Sequence, residues 1–311
     1  MSAHRVRPGP SCPDQHAARI AEAAVDAWHG AHGSGQSRIP LSTIAALALL
    51  RPPEDDRTAS AHLLLDMSPG SLALNIRGLW RWFAGERPDL LNRAWPLAEI
   101  WLGEQDLTED QLRAAKKTAD AAIRGDLFSL TGTDRREDTD LLGMVLTALR
   151  PKSALQGRGQ FYSPSTLSTM MGTMLDPAEH EHINEPAAGT GGMLRGAAEA
   201  MRRAGREPAR ARWVASDIDP DAVACLAVNV VLWGLGTNVL LGCGDTLAYD
   251  FMDRAEHERI EPVLAMRELL FAKLLGITLS TDSLIHAVLL AKDAHNQPRN
   301  ADRETLEAAS Q

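Results

Sequence analysis

The sequence of 311 residues is poor in cysteine. It has only Cys12, Cys225 and Cys243, with no Cys-x-x-Cys pair and no partnering histidine cluster. A disulfide framework needs paired thiols and a zinc site needs closely spaced ligands, so this pattern argues against both. We therefore expect a protein of a reducing cytoplasm, without a metal site.

Long apolar runs are also missing. No stretch reaches the roughly 18 uninterrupted apolar residues of a membrane-spanning helix. The first residues, MSAHRVRPGPSCPDQ, contain no apolar segment typical of a secretory signal. We therefore expect neither secretion nor membrane insertion.

Positive charge is in deficit. Lys and Arg number 32 against 41 Asp and Glu, a formal net charge of −9. This balance argues against strong non-specific binding to nucleic acid but leaves room for a local basic groove. The run 202–212 has five arginines, and its two interpretations are a solvated helix face and a contact with the DNA backbone. With 44% apolar residues the chain can bury a core, which excludes wholesale disorder.

The first half of the chain has a helical pattern. Residues 14–150 are predicted to form a helical domain, with Ser42 capping a helix over 45–50 and Thr108 with Gln111 forming a capping box. Tryptophans are concentrated here and are interpreted as helical core rather than as a stacking platform for nucleic acid. They are Trp28, Trp80, Trp82, Trp95 and Trp101.

The pattern changes near residue 151. Residues 151–250 contain three successive strand-and-turn segments, two of them followed by a helix, which indicates parallel strands with right-handed crossovers. The predicted fold class is α/β, with a helical N-terminal domain, a truncated Rossmann-like core of about three parallel strands and a helical C-terminal tail over 251–295. Residues 1–13 and 296–311 are predicted to be disordered.

The most specific motif is 185-EPAAGTGGML-194, which follows a predicted strand and opens a helix. Glycines let a backbone turn approach a ligand closely, and helix N-terminal amides favour anionic groups. Asp217 ends the next predicted strand, at a position where an acid can accept hydrogen bonds from ribose hydroxyls, and Asp245 follows the third strand. The alternative is that both aspartates only form turns or cap helices.

These residues resemble the S-adenosylmethionine motif of N6-adenine DNA methyltransferases, above all the modification subunits of type I restriction systems. The resemblance extends to 159-GQFYSP-164, 216-SDIDP-220 and 244-GDTL-247, in the family's order. It implies S-adenosylmethionine as cofactor, and DNA and a specificity or complementing methyltransferase subunit as partners.

The resemblance also implies a role for each motif residue. Phe161, Tyr162 and Pro164 would line the cofactor pocket, and Glu185, followed by Pro186, would hold the methionine amino group. Gly189, Thr190 and Gly191 would approach the cofactor through their backbone. Asp217 would bind the ribose hydroxyls, and Asp245 would accept from the adenine amino group.

One family element is missing from the sequence. Catalysis in the family depends on Asn/Asp-Pro-Pro-Tyr/Phe, whose side chain and carbonyl draw out the lone pair of adenine N6 while its aromatic ring stacks on the flipped base. No such tetrapeptide occurs, and the only Pro-Pro is Pro52-Pro53. The sequence therefore predicts no catalytic residue.

Three functions are compatible with this pattern. The first is a cofactor-binding protein of the adenine methyltransferase family, related to restriction-modification and catalytically deficient alone. The second is a non-catalytic regulatory or scaffolding module. The third is the cofactor half of a split methyltransferase.

Overall fold

The computed structural model describes residues 12–32, 35–150, 165–247 and 251–274. The chain divides into two compact units, one ending at Arg259 and the other beginning at Ile260. Phe161, Tyr162 and Pro164, and the predicted disordered ends apart from Cys12 and Pro13, lie outside the described residues. Within the described parts, no helix is both long enough and apolar enough to cross a bilayer.

Helices dominate the described chain, with short 3-10 turns at Glu54–Asp56, Asp134–Asp138 and Pro208–Arg210. We number the α-helices in chain order. They are α1 (Pro13–His32), α2 (Arg38–Ala48), α3 (Arg57–Asp66), α4 (Pro69–Glu86), α5 (Pro88–Leu102), α6 (Glu109–Arg124), α7 (Leu127–Thr131), α8 (Leu141–Leu149), α9 (Ser165–Leu175), α10 (Gly192–Arg203), α11 (Pro220–Leu232) and α12 (Phe251–Leu274).

Four of the five tryptophans in the first half fill the helical core, as predicted, and for Trp82 the prediction is wrong. Trp28 and Trp80 are fully buried and Trp95 and Trp101 nearly so, whereas Trp82 is 47% exposed. Trp80 keeps its indole N–H satisfied by donating to Ser42 Oγ at 3.1 Å. Buried aromatic side chains contribute large apolar areas, and a polar tip needs such a partner when it leaves water.

Three strands form one parallel sheet in the order β1 (His182–Glu185), β2 (Arg212–Asp217) and β3 (Val239–Cys243). Glu185 lies opposite Ala215, and Asp217 lies opposite Cys243. The carboxyl ends of all three strands therefore meet at one edge of the sheet. Among the described strands β1 pairs only with β2, and its residues alternate between exposed and partly buried.

Helix α11 joins the sheet to the helical part of the molecule. Ten of its 13 residues are buried, because it packs against β2 and β3 as well as α5 and α8. Such a helix needs an apolar surface all round, which PDAVACLAVNVVL provides. The helices before it and the sheet thus lie in the same compact unit.

The predicted fold class is confirmed: the protein is mostly helical and carries a small sheet of three parallel strands. The domain limits 14–150, 151–250 and 251–295 stay a prediction. The second unit is described only as far as Leu274, where it continues helix α12.

Candidate functional site

The glycine motif forms a tight turn between β1 and α10. Ala188 N donates to Ser216 O on β2, and Gly191 N donates to Ala188 O, both at 2.8 Å. Gly191 has φ of 100°, a left-handed conformation that favours glycine. A Cβ there would lie 2.5 Å from Leu226 Cδ1 and 2.8 Å from the Trp233 ring. Gly191 therefore allows the turn to pack closely on α11.

Asp217 links the glycine turn to the acidic turn that follows β2. Its Oδ2 accepts from Gly189 N at 2.7 Å, and its Oδ1 accepts from Asp219 N at 2.9 Å. Asp219 is only 4% exposed, forms an ion pair with Arg150 at 2.6 Å and caps α11 by accepting from Asp221 N. The Asp217 carboxylate thus has a turn-forming role, and each of its oxygens keeps a free lone pair for a further donor.

A second aspartate, Asp140, holds the glycine turn from the side of the helices. Its Oδ2 accepts from Thr190 Oγ1 at 2.5 Å, while its Oδ1 accepts from Gly143 N and Asn229 Nδ2, each at 2.9 Å. The same Asn229 amide donates to Thr190 O at 2.9 Å. Burial raises the pKa of the Asp140 carboxyl, and the hydrogen bonds from Thr190, Gly143 and Asn229 oppose that shift.

A cavity of about 1120 Å³ opens beside these turns. It is lined by the glycine turn, the start of α10 and residues 217–220, together with residues of α1, α8 and α9. Helix α1 contributes residues spaced three or four positions apart, which places them on one face of the helix. They are Asp14, Ala18, Ala21 and Glu22.

The cavity lining is acidic. It includes five carboxylates, and among its described residues Arg195 is the only one with a basic side chain. Arg195 is already engaged, since it donates to Asp138 O and Ser165 O and pairs with Glu199. Asp219 is likewise paired with Arg150, and the remaining four carboxylates favour a ligand that carries positive charge. The carboxylates are Asp14, Glu22, Asp140, Asp217 and Asp219.

Only some of the predicted site residues reach this cavity. Gly189, Thr190 and Asp217 line it. Four others lie outside the described lining, namely Glu185, Pro186, Gly191 and Asp245.

Two of the acids outside the lining make local contacts. Glu185 is partly buried and its Oε1 accepts from Ala187 N at 3.3 Å. Asp245 is exposed and its Oδ1 accepts from Leu247 N at 2.9 Å, as a turn-forming aspartate does.

The arginines of the run 202–212 form ion pairs within the protein. Each of its five guanidinium groups lies within 4 Å of a carboxylate. Arg203 and Arg210 stay more than half exposed within these pairs, which favours the solvated face over a phosphate-binding surface of unpaired arginines. The pairs are Arg202 with Glu137, Arg203 with Glu199, Arg206 with Asp176, Arg210 with Glu179 and Glu207, and Arg212 with Glu256.

Sequence reasoning missed Asp140, Asn229 and the cavity face of α1. Asp140 caps α8 through Gly143 N, and the polar residue before an apolar helix was the one local signal for it. Asn229 stands out in the structure, because it is a polar residue that is only 1% exposed within a buried helix. No group of His, Cys, Asp and Glu in the described residues could hold a metal ion.

One family model matches part of the chain. Residues 139–266 match the N-6 DNA Methylase family model. No curated protein matches the chain. A solved structure, the methyltransferase subunit of a type I restriction-modification system from Streptococcus thermophilus, aligns at 15% identity with a TM-score of 0.40. The alignment covers 75% of this chain and 59% of that subunit, so the chain spans less than two thirds of its length.

The matched segment contains the sheet, the glycine turn, Asp140 and Asp217. The resemblance to N6-adenine DNA methyltransferases stated from the sequence is confirmed to this extent: residues 139–266 match the N-6 DNA Methylase family model.

Proposed function

We propose that the protein binds S-adenosylmethionine and takes part in adenine-specific DNA modification in the cytoplasm. The observation that carries this proposal is the cavity at the carboxyl ends of β1 and β2, most of whose lining residues belong to the segment that matches N-6 DNA methylases, with α1 contributing the rest. Ligands of open parallel sheets bind outside the carboxyl ends of the strands. The cofactor supplies an activated methyl group when it is bound.

The residues in the cavity fit this cofactor. Its sulfonium and ammonium groups are cationic, which suits a lining whose one described basic side chain, Arg195, is already paired. Asp217 keeps lone pairs free for the ribose hydroxyls while it holds the two turns. Gly189 exposes backbone without a Cβ on the cavity side.

The other roles implied by the family remain part of the proposal. Glu185 would hold the methionine amino group, Asp245 the adenine amino group, and Phe161, Tyr162 and Pro164 would cover the cofactor. Glu185 and Asp245 would have to reach a cofactor that extends beyond the described lining.

Calorimetric titration of the 311-residue chain with S-adenosylmethionine, and separately with its demethylated product, tests the proposal. We expect saturable binding of one molecule per chain. The matched control is Asp106→Ala, which removes an exposed carboxylate paired with Arg77 on the helical part. Absence of binding at millimolar cofactor would reject the proposal and favour the scaffolding module.

We further propose that the chain alone does not methylate adenine. Catalysis requires acceptors placed around N6, and the sequence lacks the Asn/Asp-Pro-Pro-Tyr/Phe element that supplies them. The net charge of −9 adds no electrostatic affinity for DNA. The assay is transfer of labelled methyl to duplex and single-stranded DNA. Robust transfer by the purified chain would contradict this proposal.

A second candidate function is the cofactor half of a split methyltransferase. It is favoured by β1, which pairs with one neighbour among the described strands and is partly exposed, whereas parallel strands are normally buried on both faces. An unpaired edge can accept a strand from another chain. Methyl transfer that appears only after cell extract is added would support this candidate, and the partner would then be a complementing or specificity subunit.

A further inference from the structure

Thr190, at the centre of the glycine turn, is held from two other parts of the chain. Its hydroxyl donates to Asp140 at the start of α8, and its carbonyl accepts from Asn229 in α11. Asn229 also donates to Asp140, so the three residues form a closed ring of hydrogen bonds. Thr190 and Asn229 are each 1% exposed, which shields the bond between them from water, whereas Asp140 is partly buried and lines the cavity.

The close approach of α8 to the turn depends on Gly143. A Cβ at this position would lie 2.2 Å from Asp140 Oδ2 and 2.6 Å from Thr190 Oγ1, so both atoms would have to move. Alanine is otherwise the better helix former, and Gly143 lies within α8. Gly143 therefore lowers the helix propensity of α8, but its missing Cβ leaves room for Asp140 and Thr190 to meet.

We propose that Asp140 is a positioning residue of the cofactor site: through Thr190 it holds the glycine turn in the conformation that receives the ligand. The ligand part of this inference rests on the proposed function. Glycines leave a turn many conformations, and a ligand that has to order the turn loses affinity. A turn held in advance by buried hydrogen bonds avoids that loss.

Two variants break the contact in different ways. Thr190→Val keeps the volume but removes the hydroxyl, and Gly143→Ala inserts a methyl group without removing a polar atom. Thr190→Ser restores the donor and serves as the rescue. The control is Thr108→Ala, which removes the side-chain cap of α6, a helix that contributes no described residue to the cavity.

The first measurement is cofactor affinity at a temperature where every variant is folded. We expect Thr190→Val and Gly143→Ala to weaken binding by about tenfold or more, because the part-buried hydrogen bond between Thr190 and the Asp140 carboxylate is lost or displaced. Thr190→Ser should recover most of that loss. Thr108→Ala should lower the melting temperature and leave the affinity unchanged, which separates positioning from general destabilisation.

The second measurement needs no ligand. Hydrogen exchange of the amides in 187–192 should accelerate about tenfold in Thr190→Val and Gly143→Ala, since local opening of the turn then costs less. Unchanged exchange in both variants would overturn the positioning role even if the cofactor binds. Wild-type protein that binds no cofactor, with exchange still accelerated in the variants, would reject the proposed function alone. Accelerated exchange with unchanged affinity would also overturn the inference, because the turn would then not govern binding.

Discussion

Asp217 and Asp245 follow neighbouring parallel strands, but the protein surrounds them differently. Asp217 accepts from two backbone amides, lines the cavity and holds the glycine turn. Asp245 is exposed, accepts a hydrogen bond from Leu247 N, and stands outside the cavity lining of the described residues. We refer to Asp217 together with the glycine turn as the β2 end of the site, and to Asp245 together with Gly244 as the β3 end.

The difference between the two ends lies in their support. The β2 end is backed by Asp140 and Asn229, which come from helices on either side of it in the sequence. At the β3 end, Arg93 from α5 donates to Leu241 O within the strand and pairs with Glu258, and burial lowers its pKa to about 10. That contact fixes the strand but does not reach Asp245. Equivalent motif positions can therefore differ in how firmly they are held.

The largest expected effect concerns the glycines of the two ends. Gly191→Ala should lower the free energy of unfolding by about 3 kcal/mol, because it adds left-handed strain and overpacks the buried contact with Leu226 and Trp233. Gly244→Ala, with φ of 136° but only Arg254 Nη2 at 3.4 Å, should cost about 1–2 kcal/mol, from strain alone. Urea unfolding measures both. Equal losses would show that the packing of the β2 end adds nothing.

Much of the architecture was predictable from local patterns. Thr108 and Gln111 form the predicted capping box, and the three parallel strands follow one another as predicted. Ser42 was predicted wrongly as a cap: α2 begins at Arg38, and Ser42 lies buried within it, donating to Leu97 O at 2.6 Å. From the sequence alone, a serine next to an apolar stretch does not reveal whether its hydroxyl bonds to a local backbone amide or to a distant carbonyl.

The glycine turn and the strand-end aspartates were also predictable, because their signals lie within a few consecutive residues. The support of the turn was not. Asp140 and Asn229 stand 50 and 39 residues from Thr190, so no local spacing indicates their contact. The cavity face of α1 was not predictable either, because Asp14 and Glu22 have the pattern of ordinary surface acids on an amphipathic helix.

The second prediction tests the β2 end directly. Asp217→Ala should weaken S-adenosylmethionine binding by about 1.5–3 kcal/mol, roughly ten- to hundredfold, because it removes a charge-assisted acceptor. Calorimetry gives the affinity, and the thermal midpoint of each variant shows how much of the loss comes from the turn. Asp106→Ala should bind as the wild type does. An Asp217→Ala variant with wild-type affinity would remove the ribose role and leave Asp217 a turn former.

The smallest expected effect belongs to the β3 end. Asp245→Ala should weaken cofactor binding by about threefold or less, because an exposed hydrogen bond contributes only about 0.5 kcal/mol net of water. Thermal stability should change little, since the side chain is exposed and bonds to Leu247 N two residues away. The same calorimetric titration measures the affinity, beside Asp217→Ala. A loss of tenfold or more would mean that the cofactor buries the bond between Asp245 and the adenine amino group, and that it extends well past the described cavity. The two ends would then contribute alike to binding, and the contrast between them would be confined to how each is held in the protein.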